Sequence, residues 1–89
     1  MLNEKITVIN ILGLHTRAAA KLVALASKFE SKIEIQKSDQ VANCKSIMSL
    51  IVLGVTKGTL LDLIVSGPDE QDARDAVKEL FNNRFGEAE

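Results

Sequence analysis

The single histidine of this chain, His15, lies in the run Gly13-Leu14-His15-Thr16-Arg17. A strand-like segment ends there and an amphipathic helix begins. Behind it, Ala19, Leu22, Val23, Ala26 and Phe29 recur at the spacing of one helical face, which predicts a helix from Thr16 to about Phe29. His15 then occupies the cap position, beside amide N–H groups that have no partner inside the helix. Those amides and the positive end of the helix dipole make an anion site. Arg17 adds a planar cation suited to phosphate oxygens. A neutral imidazole is nucleophilic near physiological pH. Beside an anion site, it points to a histidine that accepts and releases a phosphoryl group. The plain alternative is a capping or surface histidine, and position alone does not separate the two.

The elements that must position this run can be read from periodicity. Lys5 to Ile9 alternates as a strand, with Ile6 and Val8 on one face. Lys32 to Gln36 is a second strand, and Lys37-Ser38-Asp39-Gln40 a turn into a short third strand, Val41 to Cys44. Ser46 to Leu53 reads as a short helix, capped by Ser46 and closed near Gly54. Thr59 to Ser66 is a fourth strand with Leu61, Leu63 and Val65 on one face, stopped by Gly67-Pro68. Asp69 is read as the cap of a last helix whose stripe is Ala73, Ala76, Val77, Leu80 and Phe81. Asn82 to Gly86 is read as its frayed end. One domain over residues 1–85 is expected, with 86–89 a mobile tail. The order is βαββαβα, an α+β layer with three helices on one face of a four-stranded sheet. A ferredoxin-like arrangement fits the first six elements equally well.

Composition narrows the function. Net charge is −1, and there are three Phe with no Trp or Tyr. Nucleic-acid binding would want a basic surface and stacking aromatics, so it is not expected. One His and one Cys make a metal site improbable, and no cofactor motif is present. Cys44 is alone, so it is read as a small buried thiol in a reducing compartment. The polar start Met1 to Lys5 is no export signal. The apolar run Leu50 to Val55 is too short to span a bilayer. A soluble cytoplasmic monomer is expected, and no second titratable group stands beside His15 in the sequence.

Three segments carry a family resemblance. Gly13 to Arg17 with the Ala-rich start that follows, Lys45-Ser46-Ile47-Met48-Ser49-Leu50, and Gly67-Pro68-Asp69-Glu70 resemble, at matching spacing, the HPr family. These are the histidine phosphocarriers of the bacterial phosphotransferase system. The resemblance implies an open-faced β-sandwich with an antiparallel sheet. It also implies a carrier that is phosphorylated on His15, at the ring nitrogen facing the helix, by enzyme I. Phosphoenolpyruvate is the ultimate donor, and the group passes on to a IIA component. Thr16 and Arg17 match the family's phosphate-binding residues, and the amide of Ala18 is read as a further phosphate donor. The family usually has proline where this chain has Ala18. Alanine restores an N–H at the anion site and frees Arg17 from the pre-proline restriction, which bears on which enzyme I and IIA partners the chain serves.

The second helix carries more apolar residues than one buried face needs. Leu50 and Leu53 are expected inward, leaving Ile47, Met48, Ile51 and Val52 as a patch which, with Ala20 of the first helix, matches the family's docking surface. Ser46 needs no role beyond its cap. The resemblance adds phosphorylation there by HPr kinase/phosphorylase, which would place negative charge beside the patch. Two alternatives stay open: a regulatory carrier of the nitrogen branch using the same His15 chemistry, and a pure interaction module, which would need neither His15 nor Arg17.

Overall fold

The computed structural model describes residues 1–88. Its elements are β1 (Leu2–Thr7), α1 (Thr16–Ala26), β2 (Lys32–Lys37), β3 (Gln40–Asn43), α2 (Ile47–Leu53), β4 (Leu60–Ser66) and α3 (Glu70–Asn82), closed by a 3₁₀ turn at Arg84–Gly86. The four strands form one antiparallel sheet in the order β1-β4-β2-β3. This is the open-faced βαββαβα sandwich, not the ferredoxin-like arrangement that periodicity also allowed. β4 lies between β1 and β2, with Leu63 opposite both Glu4 and Ile35. Alternation along the strands buries Ile6, Ile33, Ile35, Leu61, Leu63 and Val65 against Ala19, Leu22, Leu50, Val77 and Phe81 from the three helices. On the other face Leu60 is exposed and Asp62, Ile64 and Ser66 are half-buried. Among the described residues no helix is long and apolar enough to cross a membrane.

Element ends shift where local bonding overrides periodicity. α1 stops at Ala26, because Lys28 and Phe29 bond back three residues, to Leu25 and Ala26, and tighten the last turn. β1 lies earlier than expected, at Leu2–Thr7, because the length of β4 sets its pairing. Cys44 leaves the strand but is fully buried, and burial, with Glu34 nearby, pushes its thiol up to about 12.

Two expectations near the C-terminus are corrected. Asp69 stands at the cap position of α3 but its side chain makes no capping bond. It accepts instead from the Glu30 N–H (3.0 Å), the Ser31 N–H (2.9 Å) and the Ser31 hydroxyl (2.5 Å), tying the start of β2 to the start of α3. A longer-range acceptor role outcompetes the local one because Ser31 is fully buried and its groups need partners. Residues 82–87 do not fray. Phe85 is buried and packs edge-to-face on Phe81, with ring centroids 4.8 Å apart. It does so with φ 55° and ψ 29°, a left-handed conformation that costs a bulky residue about 1–3 kcal/mol and persists only where packing compensates. Lys21 Nζ donates to the Phe85 carbonyl at 2.6 Å and fixes the turn from α1. Gly86 and Glu87 therefore dock on the domain rather than forming a tail; Glu89 lies outside the described residues.

Removing the Phe85 ring should therefore cost stability that a frayed terminus would not. Phe85→Ala is expected to lose about 3–5 kcal/mol in urea unfolding, as for a buried aromatic; a loss within about 0.5 kcal/mol would mean the turn does not hold the core. The Asp69 carboxyl is held below its ordinary value of 3.8, chiefly by the Ser31 hydroxyl and next by the Glu30 amide. A lowered folded-state value contributes stability above the unfolded value, lost as pH falls through the folded one. Glu70 and Glu87 share that direction and add to the same acid limb. Asp69→Asn is expected to lower the melting temperature at pH 7 and to flatten its fall below about pH 4. Parallel melting curves from pH 7 to pH 2 for parent and variant would remove the staple.

Candidate functional site

The site is built on the turn between β1 and α1. Gly13, at φ 65°, lies so close to the segment after α2 that a Cβ would fall 2.5 Å from the Val55 carbonyl oxygen and 2.9 Å from the Thr56 Cα. Only glycine fits both the backbone angle and the approach. Leu14 then donates its N–H to the same Val55 carbonyl at 3.1 Å and buries its side chain. That leaves His15 extended (φ −75°, ψ 177°) as the N-cap of α1, its carbonyl accepting the first helical bond from Ala19 at 2.8 Å.

The ring is engaged at both nitrogens. Nδ1 accepts from the Arg17 N–H at 3.3 Å, and Nε2 is hydrogen-bonded to Oε2 of Glu87. A nitrogen that accepts from an amide holds a lone pair, so the proton of the neutral ring is on Nε2, which donates to the carboxylate. The nucleophilic lone pair thus lies on Nδ1, facing the helix start. Glu87 is held in turn by Asn10, a fully buried side chain whose Nδ2 donates to Glu87 Oε1 (2.9 Å) and to the Gly13 carbonyl (2.8 Å). These bonds hold the Glu87 carboxyl below the ordinary carboxylate value, the His15 bond first and the Asn10 bond second.

Around Nδ1 the anion donors fall into place. Thr16 and Arg17 are exposed in the first turn, and Arg17 forms no ion pair among the described residues. Ala18 is fully buried, its methyl in the core, and its amide lies in the first turn, where the helix supplies no acceptor. Ile11, Leu12, Arg17, Glu87 and Ala88 line a shallow pocket beside the ring.

Ser46 is not part of this cluster. Its Oγ accepts from the Ser49 N–H at 3.2 Å as the N-cap of α2, and it makes no bond to His15 or Arg17. Leu50 and Leu53 are buried, while Ile47 (39%), Met48 (70%), Ile51 (38%) and Val52 (78%) stay exposed on α2, as Ala20 does on α1. Met48 and Val52 flank a groove closed on its other side by Gln40 and Val41.

Glu87 is the partner of the His15 ring that the sequence did not reveal. It is 72 positions from His15 and lies in a segment read as a tail, so no spacing connects them. The one available signal was Phe85, an apolar residue beyond the stripe of α3 that had to be buried somewhere.

The family model described as the PTS HPr component phosphorylation site matches residues 2–83. The phosphocarrier protein HPr of Neisseria meningitidis serogroup A is 45% identical over the full length of both chains. The crystal structure of HPr from Thermoanaerobacter tengcongensis superposes with a TM-score of 0.96 at 40% identity, covering all of both chains. That of HPr from Bacillus anthracis superposes at 0.86 and 29% identity, covering 90% of this chain and 95% of the other.

Proposed function

Because the chain belongs to the HPr family of phosphotransferase-system phosphocarriers, we propose that His15 Nδ1 is the atom that carries its phosphoryl group. The protein is a carrier rather than an enzyme with a turnover of its own: it takes the group from enzyme I and delivers it to a IIA component. The observation that carries the assignment to His15 is the paired bonding of its ring, which leaves the lone pair on Nδ1 facing the first-turn amides of α1. The lone pair attacks phosphorus, the bond to the donor breaks, and the three phosphoryl oxygens meet the first-turn amides, Thr16 and the Arg17 guanidinium. Positioning and charge stabilisation are most of what this transfer needs.

Partner recognition falls to the exposed face of α2, where Ile47, Met48, Ile51 and Val52, with Ala20, offer enzyme I and the IIA component an apolar surface beside the site. Ser46 is placed to regulate that surface. An HPr kinase/phosphorylase acting there would add about −1.5 to −2 charge at a helix start that tolerates it, next to a patch that does not. The working unit is a cytoplasmic monomer, each of its strands paired within its own sheet.

Incubation with phosphoenolpyruvate and enzyme I is expected to add one acid-labile phosphoryl group, read by intact mass. His15→Ala is expected to fold and accept none; full phosphorylation of that variant would overturn the assignment. Arg17→Ala is expected to slow transfer with both partners while changing stability by no more than about 0.5 kcal/mol, as for an exposed side chain. Unchanged rates would remove Arg17 from the site. For the surface, Met48→Asp and Ser46→Asp are each expected to weaken enzyme I binding in titration calorimetry, with unfolding midpoints close to the parent. Parent-like binding by both would place docking elsewhere.

A further inference from the structure

We propose that Glu87 is a positioning residue that keeps the Nε2 proton of His15 in place through the whole phosphoryl cycle. The inference rests on His15 Nδ1 being the acceptor atom, and it adds to that reading a role for the C-terminal segment. Three observations meet at this carboxylate. Oε2 is bonded to Nε2, the ring nitrogen that does not face the helix start. Oε1 is bonded to the amide of Asn10, which is fully buried and tied to the Gly13 carbonyl, so the carboxylate cannot rotate without losing its bond to an anchored donor. The backbone that delivers it is pinned two residues earlier by the buried Phe85 ring and by Lys21 on the Phe85 carbonyl.

The charges facing the ring divide between its two sides. Glu87 pairs with Nε2 and not with Arg17, although the two line the same pocket. Arg17 is therefore left for the phosphoryl oxygens. Lys21 lies near enough to Glu87 to favour its charged form, and no other acidic group pairs with the ring among the described residues.

The cycle then balances without moving a proton. Neutral His15 carries hydrogen on Nε2 and a lone pair on Nδ1. When Nδ1 takes the phosphoryl group, an N–P bond forms, the donor's bond to phosphorus breaks with its electron pair, and the ring becomes a cation still protonated at Nε2. The carboxylate beside Nε2 stabilises that cation directly. On delivery the N–P electron pair returns to Nδ1 and the ring leaves as the same neutral tautomer. A ring that lost the Nε2 proton in the phosphorylated state would depart as an anion, a far poorer leaving group. Glu87 thus assists acceptance by fixing the tautomer and delivery by holding the proton. The role is like that of a buried carboxylate orienting a catalytic imidazole.

The test is Glu87→Ala and Glu87→Gln in the full-length protein, each checked by urea unfolding, with ¹⁵N-labelled histidine for NMR. In the parent, a downfield proton coupled to Nε2 and protected from solvent exchange is expected in both the free and phosphorylated states. Glu87→Ala is expected to lose that resonance and to slow transfer from enzyme I and to IIA by roughly 10-fold, the size of one charge-assisted hydrogen bond. Glu87→Gln keeps an acceptor oxygen without the charge, so it is expected to fall between the two. A parent lacking the protected proton, or Glu87→Ala transferring at parental rates, overturns the proposal. So does slow transfer by Glu87→Ala with the protected Nε2 proton intact, since the defect would then lie elsewhere. A parent that accepts no phosphoryl group at all defeats the underlying assignment instead, which keeps the two failures apart.

Discussion

The bond from the Arg17 amide to His15 Nδ1 is the constraint on which the site depends. It belongs to the helix start, where amides lack acceptors, and it is satisfied by a cap residue whose acceptor nitrogen is also a nucleophile. Once Nδ1 accepts, the proton must be on Nε2, and a carboxylate on that side becomes favourable. The same amide must later be released to an incoming phosphoryl oxygen. At 3.3 Å the bond is long enough to yield without large cost. A serine or aspartate cap would bind the helix start more tightly and offer no ring to phosphorylate.

What surrounds this bond is arranged to keep it in register. Gly13 lets the turn approach Val55 and Thr56, and Leu14 buries beside it, so the backbone on one side of His15 is fixed by close contact. Ala18 and Ala19 are fully buried on the other side and fix the first turn of α1. Polar chemistry is confined to a narrow rim between these anchors. The apolar surplus of α2 is carried by side chains that take no part in the bonds around the ring.

Much of this is legible in the sequence. His15, Arg17 and the helix they open follow from a capping pattern and a 3.6-residue stripe, both local in sequence. The inward Leu50 and Leu53 and the outward Met48 and Val52 follow from the same geometry. The Asp69 staple and the Glu87 carboxylate did not follow, because each joins residues brought together only by the sheet. Asp69 reads as an ordinary cap until Ser31 is known to be buried opposite it. Phe85 reads as the end of a fraying helix, since nothing in its neighbours announces a left-handed residue. Strand order was open for the same reason: alternation tells which side of a strand faces inward and is silent on its neighbours.

That strand order also has a bearing on synthesis. β1 leaves the ribosome first, yet its only neighbour is β4, so Leu2 waits for Val65 and Thr7 for Leu60. The N-terminal strand therefore has no partner while most of the chain is still being translated. Closing so long a loop is a late event in folding. The Glu87 carboxylate arrives later still. A nascent or prematurely terminated chain therefore carries His15 while it still lacks the sheet that packs α1 and the acid that stands beside the ring.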